Sequence, residues 1–224
     1  MSNQYKEICY LCGEGIECNA DDDQMKLSMD HVPPKQFFPK QIRKNGGLNL
    51  EVVPSHKKCN NEYKNDEEYF FHSLYPLVAN VNPNMAQVIY KEFTRRSHCP
   101  QTPALLRAIF SEASDITQGG IILPSNMVVV DIDLVKIQKV AGKIARGVVF
   151  LNTYTYFPEI NIVDMRICER ESEVPEMYQL SWKGAPIVGS YPKVFSYKYF
   201  LLDDFHIISM YFWESFMFCV TILV

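Results

Sequence analysis

The stretch that decides the fold begins with MKLSMDHVPP at residues 25–34 and runs on to residue 78. Residues 25–31 alternate loosely between apolar and polar side chains, which predicts a strand. The two prolines of the quoted stretch would end it, because neither can donate a hydrogen bond to a ladder. A short strand over residues 49–53 and a helix over residues 57–78 are predicted next, the helix from apolar residues at three- and four-residue spacings. The expected order is strand, loop, strand, helix.

The remainder of the chain is predicted to be helical and then rich in strands. The patterns favour helices near residues 84–97, 103–116 and 133–146, a strand near 121–130, and several strands from 148 to 223. We therefore expect an α+β fold, in which residues 1–80 form one module and residues 81–224 form a helical, then β-rich region that selects a target or docks a partner. The boundary moves to about residue 118 if the helices pack on the first module.

Charge is distributed unevenly along the chain. The 224 residues carry a net charge of −4, which excludes a protein that is basic all over and coats nucleic acid. Between residues 31 and 64, however, two acidic residues face seven basic ones: Lys35, Lys40, Arg43, Lys44, Lys57, Lys58 and Lys64. This basic segment is predicted to bind a phosphate backbone. The alternative is an ordinary solvated loop.

Neither end of the chain predicts a membrane protein. The first residues lack the basic start and apolar run of a secretory signal, so we expect an intracellular, cytoplasmic protein. Residues 205–224 have about the length that spans a bilayer. His206 and Glu214 would then lie in the hydrocarbon, and the aromatic and β-branched composition is typical of buried strands instead. We predict buried strands and no membrane partner.

Two short pairs predict a metal knuckle, namely Cys9-x2-Cys12 and His56-x2-Cys59. Thiolate and imidazole are the ligands that structural Zn²⁺ prefers, and four of them complete a tetrahedron. In a reducing compartment, such a cysteine pair favours a metal site over a disulfide. The zinc would staple the start of the chain to the start of the helix. The alternative is that the cysteines are reduced core residues and His56 opens a helix without metal.

Between and beside these pairs lie Asp30-His31-Val32-Pro33-Pro34, Asn49-Leu50 and Cys59-Asn60. This pattern resembles the HNH (ββα-metal) endonuclease family, in its zinc-knuckle variety with Asn at the final motif position. The resemblance covers residues 9–70, less than a third of the chain. Asn in place of the final His occurs in the family and keeps an oxygen ligand. His56 could instead be the last nuclease histidine, but its spacing from Cys59 favours zinc.

The resemblance implies metal-dependent hydrolysis of DNA phosphodiester bonds. His31, whose side chain titrates near neutrality, would be the general base. Asp30 and Asn60 would hold one Mg²⁺ or Mn²⁺ ion against the phosphate, and Asn49 would hold the loop or orient the His31 ring. Since neighbouring strand residues face opposite ways, the motif must bend after Asp30 for both residues to reach one site.

Each of these residues also has an ordinary structural explanation. Asp30 and Asn60 could be capping residues, His31 a satisfied histidine, and Asn49 the start of a strand. The acidic run at residues 66–68 is predicted to be a solvated helix surface. Two other functions stay open: a non-catalytic zinc-stabilised module that binds nucleic acid or protein, and a nuclease subunit active only with a partner such as an ATPase. A role in bacterial phage defence would follow from family analogy alone.

Overall fold

The computed structural model describes residues 8–17, 21–45, 49–125, 127–168, 173–179, 187, 189–191 and 193–224. Within these ranges the chain contains six α-helices and two antiparallel β-sheets, one of two strands and one of five. The predicted α+β class is therefore confirmed.

The N-terminal part is a β-hairpin followed by helices. Strand β1 (Leu27–His31) pairs antiparallel with β2 (Val52–His56), and the connection contains a 3-10 turn and helix α1 (Lys40–Asn45). Helix α2 (Lys57–Asn61) follows β2 directly, and α3 (Lys64–Val81) continues after a two-residue turn. The predicted order of strand, loop, strand and helix is confirmed. The second strand begins three residues later than predicted, and the predicted single helix is two.

Helices α4 (Pro83–Ser97) and α5 (Thr102–Phe110) come next. The Asn82 side chain caps α4 by accepting a hydrogen bond from the Met85 N–H at 3.1 Å, as suits an asparagine before a helix. The predicted strand near residues 121–130 is wrong, because the described residues there form only isolated bridges. Ile121 and Ile122 are 66% and 75% exposed, so no neighbouring strand covers this apolar segment.

Helix α6 (Leu134–Thr153) is the central helix of the molecule. The Asp133 carboxylate caps its N-terminus by accepting from the N–H groups of Val135 and Lys136. Every residue from Val140 to Phe150 is buried. The helix continues past its predicted end at residue 146, so the prediction of strands from residue 148 is wrong at that point. Packing around the whole helix overrides the strand preference of its valines.

The C-terminal part is a five-stranded antiparallel sheet in the order β3-β7-β6-β5-β4. Its strands are β3 (Ile162–Cys168), β4 (Gly189–Tyr191), β5 (Phe195–Leu202), β6 (Phe205–Phe212) and β7 (Phe216–Leu223). The prediction that residues 205–224 form buried strands is confirmed by β6 and β7. Among the residues that the structure describes, no helix combines the length and apolar character needed to cross a bilayer.

One hydrophobic cluster joins the hairpin, α3, α6 and the large sheet, so it extends across the predicted boundary at residue 80. The rings of Phe37 and Phe70 stack at 4.9 Å, and the Trp213 indole N–H donates to the Phe37 carbonyl at 3.3 Å. A Cβ on Gly147 of α6 would lie 2.6 Å from a methyl of Val32, just after β1. The absence of a side chain at Gly147 therefore allows α6 to lie against the end of the hairpin.

Candidate functional site

The four predicted knuckle residues form one cluster. The ligand atoms of Cys9, Cys12, His56 and Cys59 all lie within 4.8 Å of one another. A tight turn delivers the first two, and Gly13 completes it with a φ of +79° and a 2.8 Å bond from its N–H to the Cys9 carbonyl. His56 ends β2 and Cys59 lies in α2. The cluster could bind zinc, and it brings the start of the chain to the start of helix α2, as predicted.

The surroundings of His56 suit a metal ligand. Its Nε2 lies 3.2 Å from the carbonyl oxygen of Gly15, and its Nδ1 lies 3.3 Å from the Cys12 sulfur. If Nε2 carries the proton and donates to Gly15, Nδ1 presents its lone pair to the centre of the cluster. An outer hydrogen bond of this kind commonly fixes the tautomer of a zinc-bound histidine.

The three thiols favour a cation among them. Burial, together with the neighbouring Cys9 and Cys12, raises the pKa of Cys59 to about 12. Burial likewise raises the pKa of Cys12. Three crowded thiolates would repel one another without a positive ion, whereas Zn²⁺ binds thiolates and lowers their pKa. The donor set therefore fits Zn²⁺.

His31 faces an open, positively charged cavity. The cavity has a volume of about 530 Å³, and its walls include Lys35, Lys40, Arg43 and Asn49. Burial lowers the pKa of His31, and the charges of Lys35 and Arg43 lower it further, against an opposing effect of Asp30. The imidazole is accordingly neutral at neutral pH and able to accept a proton.

Asn49 shares this cavity with His31, but the described residues include no hydrogen bond between the two side chains. Its predicted role in orienting the His31 ring stays a prediction.

Helix α1, which supplies Lys40 and Arg43, is anchored to α4, because the Lys40 N–H donates to the Glu92 carboxylate at 3.2 Å. Burial opposes ionisation of Glu92, but hydrogen bonds led by that from Arg95 outweigh it and lower its pKa to about 2.

The basic segment predicted to bind nucleic acid is divided by the fold. Three of its seven cations line the His31 cavity. Lys57, Lys58 and Lys64 are exposed on α2 and at the start of α3, and Lys57 pairs with Asp23. The side chain of Lys44 lies outside the described residues. The cavity therefore depends on the connection between β1 and β2, with no contribution from α2.

Asp30 faces the other side of β1. Its side chain lies on the same face as Ser28, whose hydroxyl accepts from the Asn60 amide at 3.3 Å. Asp30 is only 5% exposed, and its Oδ2 accepts a 2.6 Å hydrogen bond from the Tyr10 hydroxyl. The pairing of β1 with β2 is regular through His31. The bend that we expected after Asp30 is absent from the described hairpin.

A lysine of α6 occupies the point where Asp30 and Asn60 converge. Lys143 Nζ lies 2.7 Å from Asp30 Oδ2 and 3.3 Å from Asn60 Oδ1, and it also donates to Glu67. Burial alone would lower the pKa of Lys143, but the carboxylates of Asp30 and Glu67 outweigh burial and raise it. The side chain is therefore an ammonium, although it is only 1% exposed.

This arrangement does not fit the divalent ion predicted at Asp30 and Asn60. Mg²⁺ takes oxygen ligands at about 2.0–2.1 Å and keeps several waters. The ammonium already occupies that point, 2.7 Å from Asp30 Oδ2, and both carboxylates around it are buried. The structure thus brings Asp30 and Asn60 together as predicted, but around a lysine.

Three residues of this cluster were absent from the predicted site. The prediction of a solvated surface is wrong for Glu67, which is 8% exposed. A signal was present: Glu67 lies four residues after Tyr63 and before Phe71, hence on the apolar face of α3. Tyr10 and Lys143 offered no such signal, because they meet Asp30 from 20 and 113 positions away.

Arg146 connects the knuckle to α3 through α6. Its guanidinium donates to the Leu11 carbonyl at 3.3 Å and to the Tyr63 hydroxyl at 2.7 Å. Leu11 lies between the two knuckle cysteines, so α6 carries Lys143 and also contacts the turn that presents Cys9 and Cys12.

Comparisons of this chain with family models, with curated proteins and with solved structures found no match. The function is therefore inferred from the chain's own residues and their geometry.

Proposed function

We propose that this protein is a nuclease of the HNH (ββα-metal) type that hydrolyses phosphodiester bonds in nucleic acid, with His31 as the general base. One observation carries the proposal: a neutral histidine at the end of the first hairpin strand faces a cavity lined by three cations. The order of Asp30-His31, Asn49 and Asn60 along a strand, loop, strand and helix supports it.

The chemistry follows from these residues. Lys35, Lys40 and Arg43 would hold a phosphate by charge and hydrogen bonds, and would offset the negative charge that grows on its oxygens. The His31 imidazole would accept a proton from the attacking water as the new phosphorus–oxygen bond forms and the bond to the leaving sugar oxygen breaks, and that oxygen would take its proton from solvent water. Half-burial of His31 beside an open cavity leaves room for both water and substrate.

We further propose that the Cys9–Cys12–His56–Cys59 cluster holds a structural Zn²⁺. Its support is the convergence of four ligand atoms and the fit of the His56 tautomer. No step is assigned to a divalent ion at Asp30 and Asn60, because Lys143 occupies that point. DNA as the substrate and a part in bacterial defence stay predictions from the family resemblance, and a cytoplasmic location and an ATPase partner stay predictions from the sequence.

A second function is favoured by one specific observation. Asp30 is buried under Lys143 and turned away from the His31 cavity, so the adjacent pair does not build one catalytic centre. A zinc-stabilised module that binds nucleic acid without cutting it would need only the cations of the cavity.

Cleavage and binding measured together distinguish the two functions. The zinc-loaded protein would be incubated with supercoiled plasmid, single-stranded DNA and structured RNA, with and without Mg²⁺ or Mn²⁺, and binding to the same substrates would be titrated. For a nuclease, His31→Ala should lower the cleavage rate by about 100-fold or more without loss of affinity, since it removes the base. His98→Ala, at an exposed histidine that caps the C-terminus of α4, is the matched control and should cut normally.

Tight binding without cutting under every condition would reject the nuclease and establish the binding module. Cutting that survives in His31→Ala would show that His31 is not the base, or that the preparation contains another nuclease.

A further inference from the structure

We propose that the Lys143 ammonium is the resident cation of an oxygen site formed by Asp30, Asn60 and Glu67, and that it takes the place of a divalent ion there. The occupancy of this site can be measured without any cleavage assay. Its consequence for the reaction rests on the proposed nuclease function.

The ligands around Lys143 are those of a cation site. Two carboxylates and one amide carbonyl converge on its Nζ, and such oxygens are the ligands that Mg²⁺ and Mn²⁺ accept in proteins. One ammonium offsets one carboxylate charge. Hydrogen bonds from neutral donors stabilise the remaining negative charge: the Tyr10 hydroxyl donates to Asp30, and the Gln36 amide donates to Glu67 at 2.7 Å.

The ammonium is held where it is by packing. Lys143 is 1% exposed, and the α6 residues around it from Val140 to Phe150 are all buried. The Tyr63 ring lies over the ammonium, with its centroid 5.1 Å from Nζ. Gly147, one turn further along α6, lies so close to Val32 that a Cβ on residue 147 would clash with the Val32 side chain. Lys143 therefore cannot swing into water unless α6 separates from the hairpin.

A divalent ion entering this cluster would meet an ammonium within about 3 Å of its ligands. Bringing a second positive charge into a buried site is strongly unfavourable unless the first one leaves. Positive charge for the reaction would then come from the cavity on the opposite face of β1. Lys143 is a positioning residue in this scheme, since it fixes Asp30 and so the strand end that carries His31.

The experiment measures Mn²⁺ binding by electron paramagnetic resonance of the full, zinc-loaded chain. Chelators would strip the knuckle, so the protein is desalted into divalent-free buffer and its zinc content is checked. Wild type should show no saturable Mn²⁺ site, whereas Lys143→Met should gain one. Its Kd should be at least about tenfold lower than that of any residual Mn²⁺ binding by wild type. Added Mn²⁺ should raise the melting temperature of Lys143→Met and leave wild type unchanged.

Lys139→Met is the matched control. Lys139 lies one turn before Lys143 on α6 and pairs with Asp66 at 2.6 Å, but its side chain is 39% exposed. Removing it should create no Mn²⁺ site. Adding Asp30→Asn to Lys143→Met should abolish the gained site. Lys143→Gln, which is one atom shorter and keeps an N–H donor for Asp30, serves as a second variant if Lys143→Met fails to fold.

Two results would overturn the proposal. One is a wild-type Mn²⁺ site that Asp30→Asn removes, which would make the ion the resident and the lysine a displaceable placeholder. The other is a folded Lys143→Met or Lys143→Gln protein without any Mn²⁺ site. If the binding pattern holds but no substrate is ever cut, the nuclease function fails and the lysine-filled site stands.

Discussion

The two faces of strand β1 present opposite environments. His31 faces an open cavity with three cations on its walls. Asp30, the preceding residue, belongs to a largely buried cluster of two carboxylates, one amide and one ammonium. Adjacent residues of a regular strand point to opposite sides, so a sequence pair becomes two separate environments.

The contrast also concerns charge and water. On the open face, the residues that line the cavity include three cations and no carboxylate, as a site for an anion requires. On the closed face, opposite charges neutralise one another at hydrogen-bond distance and are inaccessible to substrate. The proposed binding of phosphate would use the first face, whereas the second face joins the hairpin to α6 through Lys143.

Replacing Cys59, a ligand of the proposed zinc, should destabilise the hairpin and so disturb both faces of β1. The cluster fixes the end of β2 and the start of α2, on which Asn60 and the register of β1 depend. We expect Cys59→Ser to lose its zinc and about 3 kcal/mol or more of unfolding free energy, since zinc binding is coupled to folding. Zinc content and thermal melting measure this. Cys99→Ser, outside the cluster, should change neither, and an unchanged Cys59→Ser protein would rule out a structural zinc.

Truncating one lysine on each face should lower the free energy of unfolding by very different amounts. Lys143→Ala leaves two buried carboxylates without their cation, which typically costs about 3–5 kcal/mol. Lys40→Ala removes an exposed side chain from the cavity and should cost less than about 0.5 kcal/mol. Denaturant unfolding curves measure both values. Equal losses for the two variants would show that the Lys143 cluster contributes no more than the surface does.

Neutralising the open face should affect binding and leave stability almost unchanged. The triple variant Lys35→Ala, Lys40→Ala, Arg43→Ala should weaken nucleic-acid affinity. It should also reduce the slope of log affinity against log salt concentration by an amount that corresponds to up to about three phosphate contacts. Fluorescence anisotropy at several salt concentrations gives the slope. Lys91→Ala, on the exposed face of α4, should keep the wild-type slope. A triple variant with an unchanged slope would place the nucleic acid elsewhere.

Much of the N-terminal part could be predicted from local patterns. The two Cys and His pairs converge as their spacing indicated, and the hairpin and following helices occur in the predicted order. The prediction of a strand near residues 121–130 was wrong, because apolar residues form a strand only where a neighbouring strand can pair with them and cover them. Helix α6 also extends beyond its predicted end at residue 146, since the burial of residues 147–150 outweighed their local preferences.

The sequence by itself determined that the four knuckle residues converge and that Asp30 and His31 end the first strand, because both follow from short spacings along the chain. Tertiary structure alone decided what each of them faces. Lys143 reaches Asp30 only because α6 lies against the hairpin at Gly147, and Tyr10 reaches it only through the fold of the knuckle. Such contacts join residues far apart in the chain, and packing of the whole core brings them within hydrogen-bond distance. No local pattern records which distant cation will meet a buried carboxylate.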